Sequence, residues 1–182
     1  IPQLFGVKEK PTTDDGKILN PIIKYNVYLM SIGFLVDDKS PMVWRGPMVI
    51  SAIKTFVNNV NWTNLDYLII DLPPGTGDAL ITFSQELEID GAIIITTPQK
   101  LSVNDATRGI EMFKKTKVPV IGVIENMSYL LLEDGKKEDI FGKDGAKNMS
   151  EKEKIFFIEE IPLDKEIRES SDRGVPYIFE IL

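Results

Sequence analysis

Asp66-Tyr-Leu-Ile-Ile-Asp71-Leu-Pro-Pro-Gly75-Thr-Gly77-Asp78 is the stretch whose reading decides the fold. Tyr67 to Ile70 is a short apolar run, which predicts a strand buried on both faces, the interior strand of a parallel sheet. It ends on an acid. In an open α/β sheet, ligands gather just beyond the carboxyl ends of the strands, so Asp71 stands on the ligand side. Pro73, Pro74, Gly75 and Gly77 cannot continue a strand and set a loop. Asp78 then stands where it can cap a helix with apolar positions Leu80, Ile81, Phe83 and Leu87. Strand, acid, glycine loop and helix in this order are the layout of a Walker-B acid followed by a switch loop. The acid holds a magnesium ion or its water, and the loop senses a terminal phosphate. On its own, an acid after an apolar run reads as a capping or loop-solvating aspartate. The Pro-Pro-Gly-Thr-Gly-Asp sequel is the rarer part of the pattern.

Working outward, further apolar runs predict strands near 29–36, 92–97 and 119–125, with a short one at 155–158. Residues 1–26 are punctuated by Pro2, Gly6, Pro11, Gly16 and Pro21 too often for a long helix. Gly33 lies inside the first run, where it permits close approach of a neighbouring backbone. A helix is expected over 47–60, with Pro47 in its first turn and Val49, Ala52, Ile53 and Phe56 on one face. Ser102-Val-Asn-Asp105 resembles a capping box, and Ala106, Ile110 and Phe113 form the apolar face of the helix behind it. Residues 129–142 read as loop, 143–152 as a helix, and a last helix follows Asp164 and stops near Gly174. Strands alternating with helices between 66 and 125 are the signature of βαβ units. The expected fold class is α/β, a mostly parallel sheet flanked by helices, in one domain spanning 1–182.

Composition narrows the chemistry. The chain has 182 residues, 43% of them hydrophobic and 27% charged, with a net charge of −7. That balance belongs to an ordinary globular domain and does not favour nonspecific nucleic-acid binding. No apolar run approaches the roughly 20 residues that span a membrane. There is no cysteine and no histidine. Disulfides, thiolate-held clusters, histidine-ligated metals and Ser-His-Asp or Cys-His catalysis are therefore excluded within these residues.

The switch stretch closely resembles that of the Mrp-type P-loop ATPases, of the MinD/ParA class associated with iron–sulfur cluster assembly. Similar segments run almost end to end: Met30-Ser-Ile-Gly-Phe-Leu-Val36, Trp44-Arg-Gly-Pro-Met48, Thr96-Thr-Pro-Gln99, Gly109-Ile-Glu-Met-Phe113, Gly122-Val-Ile-Glu-Asn-Met-Ser128, Ile140-Phe-Gly142, Ile161-Pro-Leu-Asp164 and Ile167-Arg-Glu-Ser-Ser-Asp-Arg-Gly-Val-Pro176. Each is short; their order and spacing are specific. The resemblance implies a P-loop NTPase fold that binds Mg-ATP between two subunits of a homodimer, through the nucleotide face. It implies that Asp71 holds the magnesium shell and that Gly75, Thr76 and Gly77 respond to the γ-phosphate. Asn126 becomes an adenine contact, because a side-chain amide offers a donor and an acceptor to a base edge. An asparagine ordering its own turn explains the same residue. Pro162 and Asp164 resemble the segment that lines the base, while capping of the last helix is the stronger reading of Asp164. Iron–sulfur recipient proteins are the implied partners, with no role for nucleic acid or membrane.

Two departures qualify the resemblance. The family carries a glycine-rich phosphate loop with lysines, and no G-x-x-x-x-G-K-[ST] occurs here. The chain opens on Ile1 and the resemblance begins mid-domain, so the expectation is a domain incomplete at the N-terminus, its nucleotide-cradling part lying ahead of Ile1. Many family members also have Cys-x-x-Cys after the Asn-Met-Ser segment, where this sequence reads Tyr129-Leu-Leu-Leu-Glu-Asp-Gly135. Cluster carriage by paired cysteines is thereby put in doubt. The leading expectation is an ATP-hydrolysing iron–sulfur cluster carrier or assembly factor, cytoplasmic, with an organellar address left open. The alternative is a non-catalytic interaction or regulatory module with an ATPase-like fold.

Overall fold

The structure is a computed structural model that describes residues 1–35, 46–73 and 77–181. In chain order the strands are β1 (Thr12–Thr13), β2 (Leu19–Asn20), β3 (Ile22–Lys24), β4 (Val27–Leu29), β5 (Ala92–Thr96), β6 (Val120–Glu125), β7 (Leu130–Leu131), β8 (Lys137–Glu138) and β9 (Phe157–Glu160). The helices are α1 (Gly46–Asn58), α2 (Gly77–Glu86), α3 (Lys100–Lys115), α4 (Gly145–Glu153), α5 (Lys165–Arg173) and α6 (Ile178–Ile181). The chain divides into two compact units, Ile1–Leu87 with Glu166–Leu182, and Glu88–Lys165.

The second unit holds the parallel sheet, in the order β5–β6–β9. Helix α3 connects β5 to β6, and α4 lies between β6 and β9 in the chain. The apolar positions expected on α3 close onto the sheet. Ile110, Val123 and Ala146 are fully buried, joined by Ile94 and Met149, with Val103, Ala106 and Phe113 packed against them. Lys114 and Lys115 occupy the last turn of α3, where cations suit the helix dipole. Lys114 also binds Glu153 of α4 at 2.7 Å. Gly122 of β6 lies against Ile158 of β9, whose side chain fills the place a Cβ would take.

The strands expected near 92–97 and 119–125 form within a residue of those bounds, and the last strand forms slightly later than expected. Other expectations change. The β5 run is buried on one face only, since Ile93 and Ile95 are exposed. Helix α3 starts at Lys100 with Gln99 as N-cap. Ser102 therefore lies inside the first turn and the capping box does not form. Residues 129–142 are not all loop, because β7 and β8 pair antiparallel. In α2, Ala79, Leu80 and Phe83 are buried but Ile81 is exposed. Asp78 sits within the first turn of α2, which begins at Gly77, so it acts there through the dipole and not as the cap.

The first unit departs most from the sequence reading. The expected strand at 29–36 is replaced by a hairpin, β3 with β4, followed by a 3-10 turn at Ile32–Phe34. Tyr25 and Asn26 both have positive φ, 51° and 59°, which is the reversal that a two-residue hairpin of type I′ needs. Ser31 Oγ then accepts from Gly33 N and bends the chain out of the strand. A Cβ on Gly33 would lie 3.1 Å from Pro2 Cγ, so the close approach there is from a proline ring. The buried strand expected at 66–71 does not form. These residues pair with no strand among the described residues, and Tyr67 and Ile69 are 84% and 86% exposed. An apolar run supplies only half of a strand, because the ladder needs a second segment to satisfy its N–H and C=O groups. Helix α1 forms as expected and buries Ala52 and Ile53, and its end is tied to α2 by Asn58 Nδ2 donating to Glu86 at 3.1 Å.

One close contact yields a direct test. A Cβ on Gly145, the first residue of α4, would collide with the carbonyl oxygen of Pro98. Gly145→Ala is expected to destabilise the 88–165 unit by about 1–3 kcal/mol. Amide hydrogen exchange should accelerate across β6 and α4 and leave α1 unchanged.

Candidate functional site

The three parallel strands end level with one another. Thr96 pairs with Glu125, and Glu125 with Glu160. The loops that leave these ends are stitched together by backbone hydrogen bonds. Asn126 N donates to Thr96 O at 2.7 Å, Ile161 N to Glu125 O at 2.8 Å, Ser128 N to Ile161 O at 2.9 Å, and Leu163 N to Tyr129 O at 2.7 Å. Pro162 lies between the two bonded residues of its segment. The structure thus brings Asn126 and Pro162 onto neighbouring loops at the carboxyl end of the sheet, where open α/β folds place ligands. Asp164 follows on the same segment, half-buried, just before α5.

The Asn126 side chain orders its own turn. Its Oδ1 accepts from Met127 N at 2.9 Å, and Met127 has φ 53°. Among the described residues its Nδ2 has no hydrogen-bond partner, so a donor remains for a ligand. Three residues past Thr96, the end of β5, Gln99 Oε1 is buried and unpartnered among the described residues. A buried acceptor of that kind calls for a water or a ligand donor.

Sequence reasoning missed Glu125. It is 1% exposed at the end of β6. One carboxylate oxygen accepts from Ser128 Oγ at 2.6 Å, and the other accepts from Ala146 N at 2.6 Å. Ala146 is the second residue of α4, so the carboxylate satisfies one of the free N–H groups at that helix start and meets the positive end of its dipole. The signal available in the sequence was an acid ending an apolar run with a serine three residues on.

Beside this loop is a cleft of about 290 Å³ lined by Ser128, Tyr129, Lys137, Lys143 and Glu160 among others. Lys137 Nζ lies 3.6 Å from the Tyr129 ring centroid and 3.3 Å from Glu160 Oε2. Desolvation pulls the Lys137 ammonium down, but its contacts with Glu160 and Tyr129 outweigh it and hold the group above its ordinary value.

The remaining predicted residues belong to the other unit. Asp71 is exposed, and its carboxylate accepts no hydrogen bond among the described residues. Magnesium is commonly bound through one or two carboxylates together with phosphate oxygens and water, and a free exposed carboxylate fits that role. Gly77 is the first residue of α2, while Gly75 and Thr76 lie outside the described residues.

Comparison with known proteins identifies the family. The chain is 44% identical over 179 residues to the iron-sulfur protein required for NADH dehydrogenase, mitochondrial, of Arabidopsis thaliana, covering 98% of this chain and 57% of that protein. It is 42% identical over 180 residues to the iron-sulfur cluster transfer protein NUBPL of Mus musculus, covering 98% and 56%. It is 41% identical to the iron-sulfur cluster carrier protein of Escherichia coli, covering 98% and 49%. The chain therefore spans about half the length of these relatives. Among solved structures, a nucleotide-binding protein of Archaeoglobus fulgidus in complex with ADP superposes with a TM-score of 0.80 at 37% identity, covering 98% of this chain and 70% of that one. The MinD cell division protein of Aquifex aeolicus shares the fold alone, with a TM-score of 0.53 at 18% identity. The ParA family, described as NUBPL iron-transfer P-loop NTPase, matches residues 1–181, and the chain belongs to it.

Proposed function

We propose that residues 1–182 form the switch-bearing and base-contacting part of an ATP-hydrolysing iron–sulfur cluster carrier or assembly factor. The observation that carries this reading is the stitched pair of loops holding Asn126 and Pro162 at the carboxyl end of a parallel sheet, in a chain of this family. The ADP complex of the Archaeoglobus protein and the names of the curated relatives support it. Asp71 holds the shell of a magnesium ion bound with ATP, and the Gly75–Gly77 loop responds to the γ-phosphate. Asn126, Pro162 and Asp164 meet the base. The working form is a homodimer through the nucleotide face, cytoplasmic or organellar, and hydrolysis rearranges the dimer and the surface offered to iron–sulfur recipient proteins.

Tight ATP binding needs oriented backbone N–H groups and a lysine around the β- and γ-phosphates. The sequence 1–182 has no such motif. Calorimetry on residues 1–182 is accordingly expected to detect negligible Mg-ATP binding, and phosphate release should be nil. Micromolar affinity in that chain would place the nucleotide site elsewhere. In a chain carrying a phosphate loop ahead of Ile1, Mg-ATP binding should return, and Asp71→Asn should slow phosphate release about 100-fold. Full turnover in Asp71→Asn would sink its magnesium role.

The cluster is cargo in this reading, and the residues present do not fit it. Cysteine thiolates hold iron–sulfur clusters, and this sequence has neither cysteine nor histidine. The positions where many family members have Cys-x-x-Cys form the end of β7 and the turn toward β8, where Gly135 N donates to Leu132 O. After anaerobic reconstitution and desalting, residues 1–182 are expected to retain no [4Fe–4S] cluster, with carboxylate-bound iron removed by a chelator. Stoichiometric iron and sulfide with a charge-transfer band would overturn that expectation.

A further inference from the structure

A carboxylate taken out of water is costly unless its charge is met. Glu125 is 1% exposed, and among the described residues no lysine or arginine forms an ion pair with it. Two neutral donors from different parts of the fold take its oxygens instead, the Ser128 hydroxyl and the Ala146 amide of α4. Between the carboxylate and Ser128 lies only the turn that carries Asn126.

We propose that Glu125 is a positioning residue that grips Ser128 with one oxygen and the start of α4 with the other. The grip fixes the 125–128 turn and presents the Asn126 amide to an adenine edge in a single orientation. The inference rests on the base-contact role proposed for Asn126. Met127 adopts φ 53°, a conformation uncommon for a residue other than glycine, so the turn needs constraint from its surroundings. Ser128 supplies it, because its N–H is held by Ile161 O and its hydroxyl by Glu125. Asn126 Oδ1 is in turn pinned by Met127 N–H, which blocks an end-for-end flip of the amide. The free Nδ2 donor and the second lone pair of Oδ1 then match the N7 acceptor and N6 donor of adenine. Guanine offers two acceptors there, N7 and O6, and its O6 would face the amide oxygen.

The test uses residues 1–182, titrated with millimolar adenosine and with guanosine while NMR follows the Asn126 side-chain amide and the 125–129 backbone. In the wild-type chain adenosine should shift these signals and guanosine should not. Ser128→Ala should weaken the adenosine response about fivefold, the loss of one hydrogen bond. Glu125→Ala should weaken it by about tenfold or more, since it also orphans the Ala146 amide. Glu125→Gln should restore most of the response, because its amide can accept from Ala146 N and donate to Ser128 Oγ. If Glu125→Ala does not fold, Ser128→Ala carries the test, as it leaves the α4 contact intact. A lower melting temperature with an undiminished adenosine response in Ser128→Ala overturns the inference. So does a loss in Glu125→Gln as deep as in Glu125→Ala, which would make charge and not grip the cause. Absence of any adenosine response in the wild-type chain sinks the base-contact reading, and the inference with it.

Discussion

The 88–165 unit depends on β6 being the middle strand of a parallel ladder. Among the described residues it alone has a partner on each side, β5 and β9, so its backbone groups are satisfied in both directions. That placement buries Val123 completely and forces Gly122 against Ile158. It also carries Glu125 into the interior, where the chain must answer a buried charge. The answer is structural. Helix α4 brings the free N–H of Ala146 to the carboxylate, and its first residue must be small enough to sit on the Pro98 carbonyl. The loop after β5, the loop after β6 and the start of α4 are thereby fixed relative to one another by contacts a few residues long.

What the sequence could reveal follows the range of the forces involved. Strand β5, strand β6 and helix α3 were legible because periodicity and packing agree. Ile94 and Val123 meet Ile110 in one core, as the 3.6-residue spacing on α3 requires. The hairpin at β3–β4 was not legible, because Tyr25 is a poor signal for a position with positive φ. The run from Tyr67 to Ile70 misled for a different reason. Its composition is that of a buried strand, but composition cannot supply the second segment, and the run stands exposed.

The candidate site shows the same division. Asn126 invited two readings, turn-maker or base contact, and the geometry makes them compatible. The oxygen end of the amide orders the turn, and the nitrogen end is left over for a ligand. Pro162 came to the site through backbone pairing between loops 30-odd residues apart in sequence, which no local pattern announces. The family resemblance located both residues, and the hydrogen bonds supply the physical reason they lie together.

Asp71 and Glu125 make the limit of local reading plain. Each is an acid that ends an apolar run and opens a polar loop. In the sequence Asp71 is marked by the prolines and glycines that follow it, whereas Glu125 is marked only by a serine three residues on. In the structure Asp71 is exposed and its carboxylate accepts no hydrogen bond among the described residues, whereas Glu125 is buried, with both oxygens taken by the protein's own donors. An open carboxylate can exchange one ligand for another as a nucleotide comes and goes. A closed one cannot, and serves instead to hold still what must not move. The same local pattern thus yields an exposed acid or a scaffold acid, and only one of the two donors that close Glu125 is local: Ser128 is three residues on, whereas Ala146 lies 21 residues beyond.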